Sequence, residues 1–207
     1  MYLFARSRSI SPAKMRAAVG VAVEAAGRVR ELTGLTIWVW SPVLSRQITS
    51  VAWTTRVEHL GELEAADDKI MASTEFGDWV EQNDALFTGP LDDAVTQVLY
   101  GTPSDEPSAY VQVAQGTCAN GSVAEAMGFG AEIAEAASRI TGLQTMFGAG
   151  LTGSYGGVVW ITGAPDLAAV EAANAALAAN DEWGKLVDRA GHAFQPGVAV
   201  SLLRRLN

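Results

Sequence analysis

The sequence has a single cysteine, two histidines and no apolar run long enough to form a transmembrane helix. Having only one thiol, Cys118, excludes an intrachain disulfide and any metal site built from several thiolates. The first residues also lack the apolar stretch and small-residue cleavage site of a signal peptide. We therefore expect a cytoplasmic protein with neither a disulfide framework nor a metal site.

The sequence has fewer basic than acidic residues: 14 lysines and arginines against 23 aspartates and glutamates, which gives a net charge of −9. No run of lysine or arginine interrupts this balance, so nucleic acid and anionic membranes are excluded as expected partners. Hydrophobic residues make up 49% of the chain and charged residues 18%, which is typical of a compact globular protein rather than a disordered one.

Recognisable catalytic motifs are missing as well. The sequence has no phosphate-binding loop, no Ser-His-Asp order and no metal-ligand cluster, and we expect no cofactor. Residues 148–153 do spell G-x-G-x-x-G, but the dinucleotide fingerprint requires a helix after the last glycine. Here a strand pattern follows, with Val158, Val159 and Trp160 in succession. The glycines therefore predict a hairpin loop.

What the sequence does contain is an internal duplication. Tyr2 and Tyr110 lie 108 positions apart, and after one deletion Phe87 and Phe194 keep a spacing of 107. Many unrelated positions share these two spacings, which indicates two repeats of a domain. We predict a first repeat over 1–100, a linker over 101–108 that is rich in proline and turn-forming residues, and a second repeat over 109–207.

Hydrophobic periodicity predicts the same order of elements, βαββαβ, in both repeats. In the first repeat we expect strands at 2–9, 35–40, 48–57 and 94–100, a helix from 12 to a stop at Gly34, a helical region over 60–83 broken near 73–74, and a loop at 87–90. Such a unit forms a four-stranded antiparallel sheet with both helices on one face. The other face of each sheet needs a cover, and two such sheets can cover each other.

This arrangement resembles the dimeric α+β barrel superfamily, which includes small antibiotic-biosynthesis monooxygenases and NIPSNAP-like proteins. The resemblance covers both repeats and rests on the order of elements, the broken second helix and the duplication. It implies an α+β fold in which two tandem ferredoxin-like repeats pack their antiparallel sheets face to face as an intrachain barrel. It also implies a small-ligand binder or an enzyme that acts in the barrel interior.

Strand alternation selects the candidate ligand-binding residues. It places Phe4, Arg6 and Arg8 on one face of the first strand, and Trp38 and Trp40 on one face of the second. Because the aliphatic residues between them suit a face covered by helices, we predict that these five side chains point into the barrel interior. Indole rings beside guanidinium groups favour a small aromatic or acidic ligand.

The second repeat has smaller residues where the first has large ones. Ala114 matches Arg6, Gly116 matches Arg8, and Met146 matches Trp38, so Met146 completes the predicted ligand-binding set. Two explanations stay open: large residues that simply fill the space between the sheets, or a vacancy on the small side that admits a ligand.

The two function hypotheses that remain come from different classes. The first is a cofactor-independent, monooxygenase-like enzyme, for which His192, in the loop before the last strand, is a candidate general base near neutral pH. The second is a non-catalytic module for interaction or assembly, including assembly into a homo-oligomer.

Overall fold

The computed structural model describes residues 1–45, 48–102, 104 and 106–207, so the predicted linker 101–108 lies partly outside the described residues. The first half follows the predicted order of elements. Its strands and helices are β1 (Tyr2–Ile10), α1 (Met15–Thr33), β2 (Trp38–Val43), β3 (Ser50–Val57), α2 (Leu60–Ala72), α3 (Thr74–Asn83) and β4 (Phe87–Tyr100). Short 3-10 turns at Pro12–Lys14 and Asp84–Leu86 precede α1 and β4.

The second half repeats this order. Its elements are β5 (Tyr110–Thr117), α4 (Val123–Thr141), β6 (Thr145–Gly150), β7 (Gly157–Ala164), α5 (Leu167–Ala178), α6 (Asp181–Ala190) and β8 (Ala199–Arg205), with a 3-10 turn at Gly191–Ala193. Of the glycine-rich residues 148–153, predicted as a hairpin loop, the first three end β6 and the last three lie in the connection to β7. A strand therefore follows, as predicted, but the loop is shorter than the sequence indicated.

The eight strands form a closed barrel in the order β1-β3-β2-β8-β5-β7-β6-β4. Read around the ring, this order contains the ferredoxin-like arrangement β4-β1-β3-β2 and its repeat β8-β5-β7-β6. The strand registers are antiparallel, for example Arg6 opposite Trp53 and Ala114 opposite Trp160. The predicted α+β barrel of two tandem βαββαβ repeats is therefore confirmed.

The chain divides into two compact units. The first unit comprises Met1–Val95 and Arg205–Asn207, and the second comprises Thr96–Arg204. The last residues belong to the first unit because they pair with β2: the Leu206 amide donates to the Val39 carbonyl at 2.8 Å, and the Asn207 side chain accepts from the Val39 amide at 2.8 Å. The predicted repeat boundaries, 1–100 and 109–207, stay predictions.

Small residues on one side of the long helices let each helix approach its sheet. In α1 these are Ala18, Ala22 and Ala26, all 3% exposed or less, and α4 has Ala126, Gly130 and Ala134 at the same spacing. Residues four apart lie one above another on a helix, so each set forms a single buried face. The core of each unit therefore lies between the sheet and this helix.

Both long helices end at a glycine, and the first of these, Gly34, is the stop that the sequence predicted. Gly34 and Gly142 have left-handed backbones, with φ of 83° and 70°, and their amides bond to the carbonyls of Arg30 and Ser138. A left-handed residue just after the last turn suits glycine, which has no Cβ to clash. The break in the second helical region falls at Ser73, whose hydroxyl accepts from the Phe76 amide and starts α3.

Two predicted boundaries were wrong. β2 begins at Trp38 rather than at 35, and β4 begins at Phe87, so the predicted loop at 87–90 belongs to a strand. Gly89 has a positive φ of 70° and Pro90 lacks an amide donor, which is why this segment resembles a loop in the sequence. Ion pairs and hydrogen bonds from β1 hold the segment, as described below.

Candidate functional site

Each unit has a pocket between its sheet and its helices. In the first unit, the pocket of about 250 Å³ has Phe4, Arg6 and Arg8 of β1 in its wall, together with side chains of α1, α2 and α3. We call it the first-unit pocket. The predicted orientation of β1 was therefore wrong, because these three side chains face the helices. Trp53, which lies opposite Arg6 in the register and also lines the pocket, shares that face.

The other predicted ligand-binding residues lie on the opposite face of their strands. Val39 belongs to the core between the first sheet and α1, so its strand neighbours Trp38 and Trp40 point away from the helices, as predicted. In the second unit Phe147 packs in the helix-side core, and the alternation turns its neighbour Met146 the other way. The predicted set therefore does not form a single site.

Two arginines of the first-unit pocket are held by aspartates. Arg6 donates from Nε and Nη2 to the two carboxylate oxygens of Asp93, both at 2.7 Å, and Arg8 donates from Nη2 to Asp84 at 2.6 Å. The hydrogen bond with Asp93 is the main reason why the pKa of Arg6 is raised above its ordinary value, against the opposing effect of burial. These bonds, with a longer one of 3.4 Å from Arg8 Nε to the Gly89 carbonyl, hold β4 and the 3-10 turn before it against β1.

The second unit has a pocket of about 740 Å³ in the equivalent place, which we call the second-unit pocket. Trp160, Trp183 and Phe194 provide its aromatic walls, and Ala114 and Gln112 stand where the first unit has Arg6 and Phe4. Among the described residues that line it, none carries an ionisable side chain. Replacing arginine by alanine thus leaves a larger and uncharged chamber.

The aromatic walls of the two pockets recur, and the sequence reasoning missed their role. Trp53, Phe76 and Phe87 line the first-unit pocket, and the matching Trp160, Trp183 and Phe194 line the second. The indole nitrogens of the two strand tryptophans donate to matching helix carbonyls, Trp53 to Ala22 at 2.8 Å and Trp160 to Gly130 at 2.9 Å. The sequence does contain a signal for this role, because the aromatic rings recur in both repeats at a spacing of 107.

His192 lies beside the second-unit pocket rather than in its wall. It belongs to the 3-10 turn Gly191–Ala193, and its neighbour Gly191 is a lining residue. Its Nε2 lies 3.0 Å from the Glu125 carboxylate, and its ring meets Phe129 edge-on at 5.9 Å. The side chain is 59% exposed. The interaction with Glu125 fixes the orientation of the imidazole and ties the turn to the start of α4.

Neither Cys118 nor a cluster of metal-ligating side chains provides a further candidate site among the described residues. Cys118 is 3% exposed, and burial raises the pKa of its thiol. Over the residues that the structure describes, no three histidine, cysteine or acidic side chains converge as a metal site would require. None of the helices in the described ranges is long and apolar enough to cross a membrane.

Comparison with known proteins finds similarity in structure only. No protein-family model matches the chain, and no curated protein matches its sequence. A proposed monooxygenase from Fusobacterium nucleatum aligns over 100% of this chain and 92% of its own, with a TM-score of 0.71 and 8% identity. A proposed monooxygenase from Lactobacillus acidophilus covers 99% and 93%, with a TM-score of 0.66 and 12% identity.

A third solved structure is similar to the same extent. It is an anthrone oxidase-like protein with a TM-score of 0.71 and 15% identity, and the alignment covers 100% of this chain and 91% of that one. At these identities the likeness concerns the fold, which agrees with the closed eight-stranded barrel and its helices. The chain therefore has the dimeric α+β barrel fold, with both ferredoxin-like repeats in one polypeptide.

Proposed function

We propose that this protein binds a small, uncharged and mostly apolar molecule in the second-unit pocket and oxidises it with dioxygen, as a cofactor-independent monooxygenase-like enzyme. One observation carries the proposal: a chamber of about 740 Å³ with aromatic walls and, among its described lining residues, no ionisable side chain. Pockets that bind small molecules typically measure about 300–1,000 Å³ and are mainly apolar with a few polar groups.

The lining selects an uncharged ligand. A carboxylate or an ammonium group would lose its hydration in this pocket without gaining an opposite charge, which is strongly unfavourable. Gln112, Thr162 and Gln195 bring polar groups to the wall, enough to orient a ligand that carries a carbonyl or a hydroxyl. Trp183 and Phe194 offer flat apolar surfaces to its rings.

An anthrone is a suitable test substrate, since one structural neighbour is an anthrone oxidase-like protein. Its ring methylene supplies the electrons: two C–H bonds break, one oxygen atom becomes the new ketone, and the other leaves as water. Such a reaction requires no bound redox group. His192 stays the proposed general base, acting from the turn next to Gly191 of the pocket wall.

The test is dioxygen uptake and quinone formation with anthrone, measured beside anthrone binding. Ala114→Phe fills the chamber from β5 and should reduce both binding and turnover at least tenfold. Ala175→Phe makes the same change at an exposed position of α5 outside the pocket and should leave both unchanged. Equal anthrone binding by wild type and Ala114→Phe would contradict the assignment of the site.

A non-catalytic role is the second candidate, and the uncharged lining favours it because no acid or base lies in the wall among the described residues. Saturable anthrone binding without dioxygen uptake would identify a binding protein instead of an enzyme. Ligand contacts at Trp38, Trp40 and Met146, the cytoplasmic location and assembly into a homo-oligomer stay predictions from the sequence.

A further inference from the structure

We infer that the first-unit pocket is a second, independent binding site, and that its ligand is a small planar aromatic carboxylate. This site differs from the second-unit pocket in size and in charge. Its volume is about 250 Å³, and its wall contains the two guanidinium groups of Arg6 and Arg8. Because the two pockets are separate sets of residues, this inference does not rest on the proposed oxidation.

The apolar part of the pocket has the dimensions of a single ring. A cavity of about 150 Å³ lined by apolar side chains is already large enough to bind benzene. Here the walls are formed by Trp53, Phe76, Trp79 and Phe87, with aliphatic side chains of α1 between them. Aromatic rings pack well against one another in tilted or offset arrangements, so an aryl group suits this space.

Arg8 has the capacity to hold a carboxylate at this ring. Its side chain is 16% exposed, and the guanidinium carbon lies 5.2 Å from the centre of the Phe87 ring, which limits its freedom to move. A guanidinium has five N–H donors. Within the described ranges, the bonds of Arg8 to Asp84 and Gly89 involve only its Nη2 and Nε atoms, so Nη1 remains available.

Asp84 acts as an internal competitor for the ligand. It neutralises Arg8 in the free protein, but it is 63% exposed, so it can return to water at little cost when a ligand carboxylate takes its place. Arg6 is held more firmly, by both carboxylate oxygens of Asp93, and it maintains the position of β4 beside the pocket. The exchange of one carboxylate for another keeps the pocket neutral.

The experiment measures benzoate binding to the full chain by calorimetry, with benzamide as the uncharged probe of the same shape. We expect saturable benzoate binding at least tenfold tighter than benzamide binding. Arg8→Met keeps an apolar stem but removes the guanidinium, and it should weaken benzoate binding at least tenfold. Arg16→Met removes the same charge at an exposed position of α1 and should have no effect.

A second variant gives a change of opposite sign, which a merely unfolded protein could not produce. Asp84→Asn removes the charge that competes for Arg8 and should tighten benzoate binding about threefold or more. Absence of saturable benzoate binding, equal binding of benzamide, or weaker binding by Asp84→Asn would each overturn the inference. Ala114→Phe serves as the control from the other unit and should leave benzoate binding intact, whatever its effect on anthrone.

Discussion

The ring of Phe147 lies directly over the backbone of Gly130, so that a Cβ at Gly130 would overlap the ring atoms. Both residues belong to the second unit and are buried. The matching residues of the first unit are Val39 and Ala22, which are also fully buried. The two repeats therefore fill matching places of their cores in two ways, with a large ring and a glycine in one and a smaller side chain and an alanine in the other.

Gly130→Ala should lower the free energy of unfolding by about 1–3 kcal/mol or more, because the added methyl group overpacks a closed core. Urea denaturation would measure it. Gly128→Ala is the matched control in the same helix, since nothing lies within 4 Å of a Cβ at that position. It should raise stability by about 0.5–1 kcal/mol through helix propensity, and a loss of stability there would contradict this account.

Phe147→Val should compensate for Gly130→Ala, because the double variant recreates the pair found in the first unit. Alone, Phe147→Val leaves a cavity and should cost about 2–4 kcal/mol. We expect the double variant to be more stable than the sum of the two single changes predicts, by at least about 1 kcal/mol in a double-mutant cycle. Simple additivity would show that the two residues do not share one packing site.

Trp160→Phe and Trp53→Phe should each destabilise the protein, since each removes the indole donor to a helix carbonyl. The loss should be about 0.5–1.5 kcal/mol, the usual net contribution of one hydrogen bond, because each carbonyl lies inside a helix and keeps its backbone partner. Trp160 is the more buried of the two, so its replacement should cost more. Thermal or urea unfolding checks the order, and a change below about 0.5 kcal/mol in Trp160→Phe would contradict it.

Cys118 gives a prediction about pH. Its folded pKa is raised by burial, so the folded state keeps the thiol proton at pH values where the unfolded chain has lost it. Stability is therefore lost as pH rises above about 8.5, the unfolded value for a thiol. Cys118→Ala should show a smaller decrease in unfolding free energy between pH 8 and pH 10 than wild type, and parallel curves would contradict the prediction. The folded thiol should also react slowly with a disulfide reagent at neutral pH.

Gly34→Ala and Gly142→Ala should destabilise the protein to a similar extent. Both positions have a positive φ, and at both a Cβ would meet no other atom within 4 Å, so the backbone conformation alone sets the cost. We expect a loss of about 1–2 kcal/mol for each, from forcing a left-handed backbone on a residue with a Cβ. Urea denaturation of the two variants tests whether the repeats use this cap equally.

Local signals explain why so much of the architecture could be predicted. The duplication, the βαββαβ order and the helix stop at Gly34 depend on periodicity and on backbone preferences of single residues. The orientation of Trp38 and Trp40 away from the helices also followed, because the alternating aliphatic residues Ile37 and Val39 suit the face that the helices cover. Apart from the duplication, which is visible as a constant spacing of 107–108 positions, each of these features is decided by a few neighbouring residues in the chain.

The orientation of β1 and the nature of the two pockets were decided only by the tertiary structure. Arg6 and Arg8 face the helices because β4 brings Asp93, and the 3-10 turn before it brings Asp84, from more than 70 positions away. No local pattern contains that pairing. Charged side chains can line a helix-facing wall only when distant partners offset their desolvation. The sequence by itself determined which elements form and where they end; the long-range contacts determined which faces meet, and so which unit keeps an open, uncharged chamber.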